Sequence, residues 1–425
     1  MEINTAIVAG TGKSGISATK LLVNHGVKVY LFDENKDRDI EAIKEKTGDS
    51  ELVQIELGEL GEDALSSSQL MVISPGIPVD APFTDVVRNA GIPIWSEIEL
   101  AYHYGKGKIA AITGTNGKTT TTALVGEIVK AHNAKTIVVG NIGIPYTELC
   151  DTTDDDSDTV AEISSFQLET VIDFHPNVSA ILNLTPDHLN RHYTFENYGN
   201  VKFSITKNQT MDDVTVLNYD DEHTRAMGEK AKDHCHVVYF SRLEKPAGGV
   251  YVEDGDIILE DGDKKINVLA IKDLKLMGAH NVENVLAAVG ISYYMGVPVD
   301  VIRDVATSFK AVAHRIEYVD TIDGVAYYND SKGTNPDAAI KGIQAMVAPT
   351  FLIGGGYDKG SEYDEWIEAF DGKVKWLVLI GQTAQKIADC AKRHGFNSII
   401  FEENLQDAVA YCHENAVDGD AVLLS

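Results

Sequence analysis

AITGTNGKTT, residues 111–120, decides how this chain is read. An apolar run, KIAAITG from Lys108, feeds into Gly114-Thr115-Asn116-Gly117-Lys118-Thr119-Thr120. A helical pattern with Leu124, Ile128 and Val129 on one face follows. Strand, glycine loop and helix in this order make a phosphate cradle. The glycines let successive backbone N–H groups turn inward, and the helix N-terminus adds its dipole. Lys118 supplies a point charge for the β and γ phosphates, and the Thr119 hydroxyl is a ligand for Mg²⁺. The standard motif has a further glycine where this chain has Ile112, so the loop is the shorter form G-x-x-G-K-T.

Working outward, phosphate chemistry needs acids for a metal. TVAEISS brings Glu162 to the end of an apolar strand, where open sheets present their ligands, and ILNLTPDHLNRH does the same for Asp187 and His188. Beside an acid and just past a strand, His188 reads as a ligand rather than a core histidine. Lys202 follows in the helical stretch FENYGNVKFSITKN, where nothing local argues against a solvated surface lysine.

The chain around this block is long enough, at 425 residues, for about two to four domains. Lys plus Arg total 36 against 65 Asp plus Glu, a formal charge of −29. Such a surface repels nucleic-acid phosphates, so any phosphate must be held by a local cluster of donors. Cys150, Cys235, Cys390 and Cys412 are scattered and read as reduced core thiols. The start, MEINTAIVAG, has no basic region before its apolar run, and no stretch reaches the ~18 apolar residues of a membrane span. A cytoplasmic protein is expected, and a monomer, since no heptad seam is visible.

Upstream, TAIVAG, SGISATKLLVNHG, KVYLFD and LMVISPG alternate strand and helix, the pattern of a parallel sheet covered by helices. GIPIWSEIELAYHYGKGK reads as the way out of this first domain. Gly10, Gly12 and Gly15 in GTGKSG form a second glycine signature, G-x-G-x-x-G, and Asp33 ends the next strand. Taken alone this is a dinucleotide site with Asp33 on an NAD ribose, although a helix N-terminus accepts any pyrophosphate. Downstream, TIVVG, VSAILNLT, DVTVLN and HVVYFS read as further strands. DTTDDDSD at 151–158 reads as a solvated acidic loop. The Asp-Gly pairs of 248–268 predict a small antiparallel sheet appended to the central block, and NVENVLAAVGISYYMG a closing helix. A third block has a strand pair in HRIEYVDTIDGVAYYNDS, then DAAIKGIQAM, TFLIGGG, KWLVLIG, AQKIADCAKRHG and GDAVLLS as helix, strand, strand, helix and strand. The expected boundaries are 1–96, 97–311 and 312–425.

The words GTNGKTT, EISSFQLE, NLTPDHLNRH, AHNVENVLAA, HRIE and NDSKGTNPDA occur in an order that resembles the Mur ligases, ATP-dependent amide-forming enzymes of bacterial cell-wall synthesis. The resemblance covers nearly the whole chain. It implies three α/β domains: a Rossmann-like N-terminal domain, a central P-loop ATPase-like domain with a small antiparallel sheet, and a Rossmann-like C-terminal domain. NDSKGTNPDA is the discriminating word and implies the branch that adds D-glutamate to UDP-N-acetylmuramoyl-L-alanine through an acyl phosphate. The rivals are a sister ligase adding another amino acid, an NAD(P)-dependent oxidoreductase using only the first loop, and a non-catalytic nucleotide switch using only the central domain.

Residue by residue, the resemblance implies that Gly114, Thr115, Asn116, Gly117, Lys118, Thr119 and Thr120 bind ATP. Asn281 and Asn284 would face its adenine, and His314, Arg315, Asp330 and Lys332 would reach it from the third domain. Two Mg²⁺ sites, open to Mn²⁺, would use Thr119, Glu162, His188 and Lys202, the last as a carbamate. The catalytic set is Lys118, His188 and Lys202. The UDP-sugar would contact Thr11, Gly12, Lys13, Ser14, Asp33, Glu34, Asn35, Ser74, Pro75, Gly76, Asn141, Ser164 and Gln167. D-glutamate would meet His188, Thr334 and Lys359. Two departures stand out: Asn190 replaces a usual Asp, and the chain stops at AVLLS, where the family continues into a segment that helps seat D-glutamate. The expectation is a shortened C-terminal end and weakened ligase activity.

Overall fold

The computed structural model describes residues 3–141, 143–276, 278–310, 316–333, 335–358 and 361–425. They fall into two compact units, Met1–Leu269 with Val285–Val305, and Ala270–Asn284 with Ala306–Ser425.

The first unit contains two sheets. β1 (Thr5–Ala9), β2 (Lys28–Asp33), β3 (Val53–Leu57), β4 (Leu70–Ile73) and β5 (Ile94–Ser96) pair in parallel in the order β3-β2-β1-β4-β5. The order reverses between β1 and β4, so the loops after these two strands face one crevice, where open α/β sheets bind ligands. The segment expected as the way out of the domain instead supplies β5 and a helix, Glu97–Tyr104, whose first five residues are buried. Ser96 caps that helix by accepting from the Glu99 N–H.

The second sheet has nine strands: β6 (Lys108–Thr113), β7 (Ile137–Gly140), β8 (Asp158–Glu162), β9 (Val178–Ile181), β10 (Val214–Asn218), β11 (His236–Ser241), β12 (Gly249–Glu253), β13 (Asp256–Asp261) and β14 (Lys264–Ala270). Its order is β14-β13-β12-β11-β10-β9-β6-β8-β7. After its first residue β6 is wholly buried, as a central parallel strand covered on both faces must be. Its neighbours are β8 and β9, with Ile112 level with both Glu162 and Ala180. Three chain segments carrying the predicted chemistry therefore end side by side. The Asp-Gly hairpin forms, with β12 antiparallel to β13, but it is not a sheet apart. β12 pairs in parallel with β11 through Phe240 and Ser241 and so extends the central sheet. The acidic loop is also more than solvated charge: Asp154 accepts from the Ser157 hydroxyl, Lys135 pairs with Asp154 at 2.6 Å, and Asp158 is buried at the start of β8.

In the second unit, β15 (Glu317–Ile322), β16 (Val325–Asn329), β17 (Thr350–Gly355), β18 (Val374–Ile380), β19 (Ile399–Phe401) and β20 (Ala421–Leu424) order as β15-β16-β20-β17-β18-β19. The β15–β16 pair is antiparallel, as expected of the strand pair, and the other pairs are parallel. All four cysteines are free and buried; burial pushes the Cys150 and Cys412 thiols up to about 12.

Candidate active site

The loop after β6 turns on two glycines with positive φ, Gly114 at +148° and Gly117 at +84°. The helix Lys118–His132 starts directly behind Gly117. Ile112, in the place of the missing glycine, lies inside β6, so the loop begins two residues later than in the longer motif. The strand beside it holds the loop from outside. Asn183, just past β9, accepts the Asn116 N–H at 2.8 Å with its side-chain oxygen, and its amide donates to Asn116 O at 3.1 Å. The Thr115 hydroxyl donates to Thr185 O and contacts the Tyr198 hydroxyl, both at 3.1 Å. Asn183 and Tyr198 were not among the sequence candidates; their only signal is nearness to the DHLNRH word.

Lys118 curls over the loop and donates to Gly114 O at 2.9 Å and Thr115 O at 2.7 Å. Lys202 reaches the same carbonyl: its Nζ donates to Gly114 O at 2.8 Å and lies 4.7 Å over the Tyr198 ring. Lys202 is 1% exposed, which removes the surface-lysine alternative. Burial first, and Lys118 second, hold its ammonium well below the ordinary lysine range, with Asp187 and Glu162 acting the other way. Glu162 ends β8, is buried, and accepts from Asn141 Nδ2 at 3.0 Å. His188 stands half-exposed with φ +53°, its ring 4.8 Å from that of Phe166 and 3.6 Å from the Asp187 carboxylate.

The other glycine loop opens a cleft of about 430 Å³. Thr11, Gly12, Lys13, Ser14, Asp33, Glu34, Ser74, Pro75 and Gly76 line it, as does Arg38, which the sequence reading missed. Asn141, just past β7, and Gln167, on the short helix Ser165–Leu168, complete its lining. Asp33 lines the cleft while held by protein donors. Its carboxylate accepts the Thr11 N–H and hydroxyl, the Asn35 N–H and the Arg38 guanidinium. Burial raises its pKa, but these donors together outweigh burial and leave it lowered. Asn35 and Ser164 are not lining residues. Asn35 serves the turn after β2, and Ser164 forms a capping box with Gln167. Gln167 is oriented in turn by buried Glu97, which accepts from its Nε2 at 3.2 Å.

In the second unit, Asp330 follows β16, is buried, and accepts the Ile316 N–H and the Ser425 hydroxyl, each at 3.1 Å; Lys332 is half-buried nearby in sequence. Asn281 and Asn284 belong to this unit and are buried, Asn284 Nδ2 donating to Asn281 Oδ1 at 3.0 Å. His314, Arg315, Thr334 and Lys359 lie outside the described residues. A separate cleft of about 240 Å³ is lined by Gly333, Asn335, Ser361, Trp366 and Ser425, among others.

Three family models match the chain: the MurD-like N-terminal domain of Mur ligases over residues 4–96, the Mur ligase middle domain over 112–292, and the Mur ligase glutamate ligase domain over 314–425. The UDP-N-acetylmuramoylalanine–D-glutamate ligase of Lachnospira eligens is 55% identical over 425 residues, covering 100% of this chain and 94% of that protein. The enzyme of that name from Lachnoclostridium phytofermentans is 51% identical over 99% of this chain and 92% of its own. Among solved structures, UDP-N-acetylmuramate-alanine ligase MurC of Thermotoga maritima aligns with TM-score 0.62 at 19% identity, covering 100% of this chain and 95% of that one. MurF of Acinetobacter baumannii aligns with TM-score 0.64 at 16% identity, covering 99% and 89%. These two likenesses concern the fold. Among the described residues, no helix is long and apolar enough to cross a membrane.

Proposed function

The chain belongs to the Mur ligase family, and from that premise we propose that it joins D-glutamate to the alanine carboxyl of UDP-N-acetylmuramoyl-L-alanine at the expense of ATP. The observation that carries this reading is the cleft of the first glycine loop, which runs from Gly12 and Ser14 to Asn141, the residue bonded to Glu162 beside the second loop. A sugar nucleotide anchored by its diphosphate on the first loop can therefore extend its peptide tail toward the phosphate cradle. The two loops hold two different nucleotides, one the carrier of the substrate and the other the energy source. An oxidoreductase would leave the second loop without a task.

A free carboxylate is too poor an electrophile for an amine. Its oxygen attacks the γ-phosphorus of ATP, ADP leaves, and an acyl phosphate forms. The D-glutamate amine then attacks the acyl carbon and phosphate leaves. Lys118 and the loop amides hold the transferring phosphoryl group and offset its charge. The donors at Thr119 and buried Glu162 are oxygens, which suits Mg²⁺; Mg²⁺ there supplies charge neutralisation of the phosphates. His188 and Lys202 are assigned to a second metal. Two ammonium groups on the Gly114 carbonyl favour a neutral Lys202, the form that can add CO₂ and become an anionic ligand. D-glutamate is assigned to the second unit, whose cleft is lined by chain neighbours of Thr334 and Lys359.

The test is phosphate release with ATP, UDP-N-acetylmuramoyl-L-alanine and a panel of D- and L-amino acids. Release is expected with D-glutamate and not with L-glutamate. Lys118→Ala should lower it at least about 100-fold, the scale of losing a charge-stabilising donor. Equal release with another amino acid, or an unaffected Lys118→Ala, would sink the reading.

A further inference from the structure

Arg191 plays no part in the roles assigned so far, yet its side chain is almost wholly enclosed, 10% exposed, between the two domains of the first unit. One guanidinium nitrogen donates to Pro75 O at 3.2 Å. The other terminal nitrogen donates to Ile77 O at 2.9 Å and to Glu169 at 2.5 Å, and Nε reaches the second Glu169 oxygen at 3.2 Å. Pro75 and Ile77 belong to the loop after β4, which faces the first glycine loop across the cleft. The guanidinium also lies 4.5 Å over the Phe166 ring, which neighbours the His188 ring at 4.8 Å and the His192 ring at 5.6 Å.

The segment that carries Arg191 is strained. His188 and Tyr193 bracket the short helix Leu189–His192 with φ of +53° and +66°, a region residues with side chains rarely occupy. Such a conformation persists only where the surroundings over-determine it. The surroundings here combine local contacts, His192 on the Ser165 hydroxyl and Asn197 Nδ2 donating to His192 O, with contacts to the first domain: Arg191 on the carbonyls of 75 and 77, and the Tyr193 hydroxyl donating to Asp80. A simple Arg–Glu ion pair would need neither contact.

We propose that Arg191, seconded by Tyr193, is a positioning residue that ties the sugar-nucleotide loop 75–77 to the pose of His188. The proposal rests on the assignment of that loop and of His188 given above. Lysine cannot replace it, because a single ammonium cannot span two carbonyls and a carboxylate with a planar fork.

The test is steady-state phosphate release by Arg191→Lys and Tyr193→Phe, with ATP affinity measured separately by equilibrium titration. Arg191→Lys is expected to lower kcat and raise KM for UDP-N-acetylmuramoyl-L-alanine, each about tenfold, as misplaced reacting groups do, with ATP affinity within about twofold of the parent. Tyr193→Phe should lose a smaller factor in kcat, about threefold, with an unchanged melting temperature. Should Arg191→Lys fail to fold, Tyr193→Phe decides. Parental kcat and KM in both variants overturn the proposal. So does an equal loss of affinity for all three substrates with a lowered melting temperature, the mark of a merely structural tie. A parent enzyme without D-glutamate-dependent release overturns the functional reading instead, so the two failures are distinct.

Discussion

At the scale of single residues, the Gly114 carbonyl concentrates the chemistry of the site. Lys118 and Lys202 both donate to it; Lys118 is half-buried and Lys202 fully buried. Burial first, and the neighbouring Lys118 charge second, lower the proton affinity of Lys202. His192 shows the same effect one shell out. It is 1% exposed, its Nε2 lies 2.9 Å from the Ser165 hydroxyl, and burial followed by Arg191, Lys202 and His188 pushes its pKa down to about 4. The unfolded chain protonates this histidine near its ordinary value of 6.5. Between pH 6.5 and about 4 the unfolded state therefore binds a proton that the folded state refuses, and stability falls as pH drops through that window. His192→Gln is expected to remove this slope, worth a few kcal/mol at most. Urea midpoints of parent and variant, measured from pH 7 to pH 4, should converge as the pH falls; parallel curves would contradict it.

At the scale of elements, the first strand–loop–helix unit depends on one close approach. A Cβ at Gly15 would sit 1.8 Å from the Gly10 carbonyl oxygen, whereas at Gly12 nothing lies within 4 Å. Gly15→Ala must push the helix Lys13–Asn24 away from β1, costing about 1–3 kcal/mol. Gly12→Ala should leave the melting temperature nearly unchanged and act, if at all, on affinity for the sugar nucleotide. Thermal melts of the two variants test the contrast, and equal melting temperatures would refute it. The elements themselves were largely legible. KVYLFD is β2 residue for residue, and the helix after Gly117 begins at Lys118. What escaped were short strands without a strong pattern, such as β5 and β19, each of three residues. They are strands because a neighbour offers them hydrogen bonds, a condition no local pattern encodes.

At the scale of the molecule, two compact units with separate cores imply more than one cooperative transition. Calorimetry is expected to resolve two. ATP with Mg²⁺ at about 100 times its dissociation constant should stabilise the first unit by about 2.7 kcal/mol, and Lys118→Ala should abolish that shift. A single transition unmoved by nucleotide would contradict both expectations. The charge of −29 acts at the same scale: it repels polyanions over the surface as a whole, so affinity for phosphate has to come from local donors such as the loop amides and Lys118.

Most of the strands and helices, the two glycine loops and the acids Asp33 and Glu162 at strand ends were determined by the sequence alone, because each is a local pattern of apolar period and glycine placement. The side-by-side arrangement of β8, β6 and β9, the burial of Lys202 and the grip of Asn183 on the second loop were not. Arg191 in particular reads as an ordinary basic residue until the loop at 75–77 is folded against it. These features join residues dozens of positions apart, and a proton affinity or a hydrogen bond depends on the atoms that surround a group. Only the packed chain supplies those surroundings.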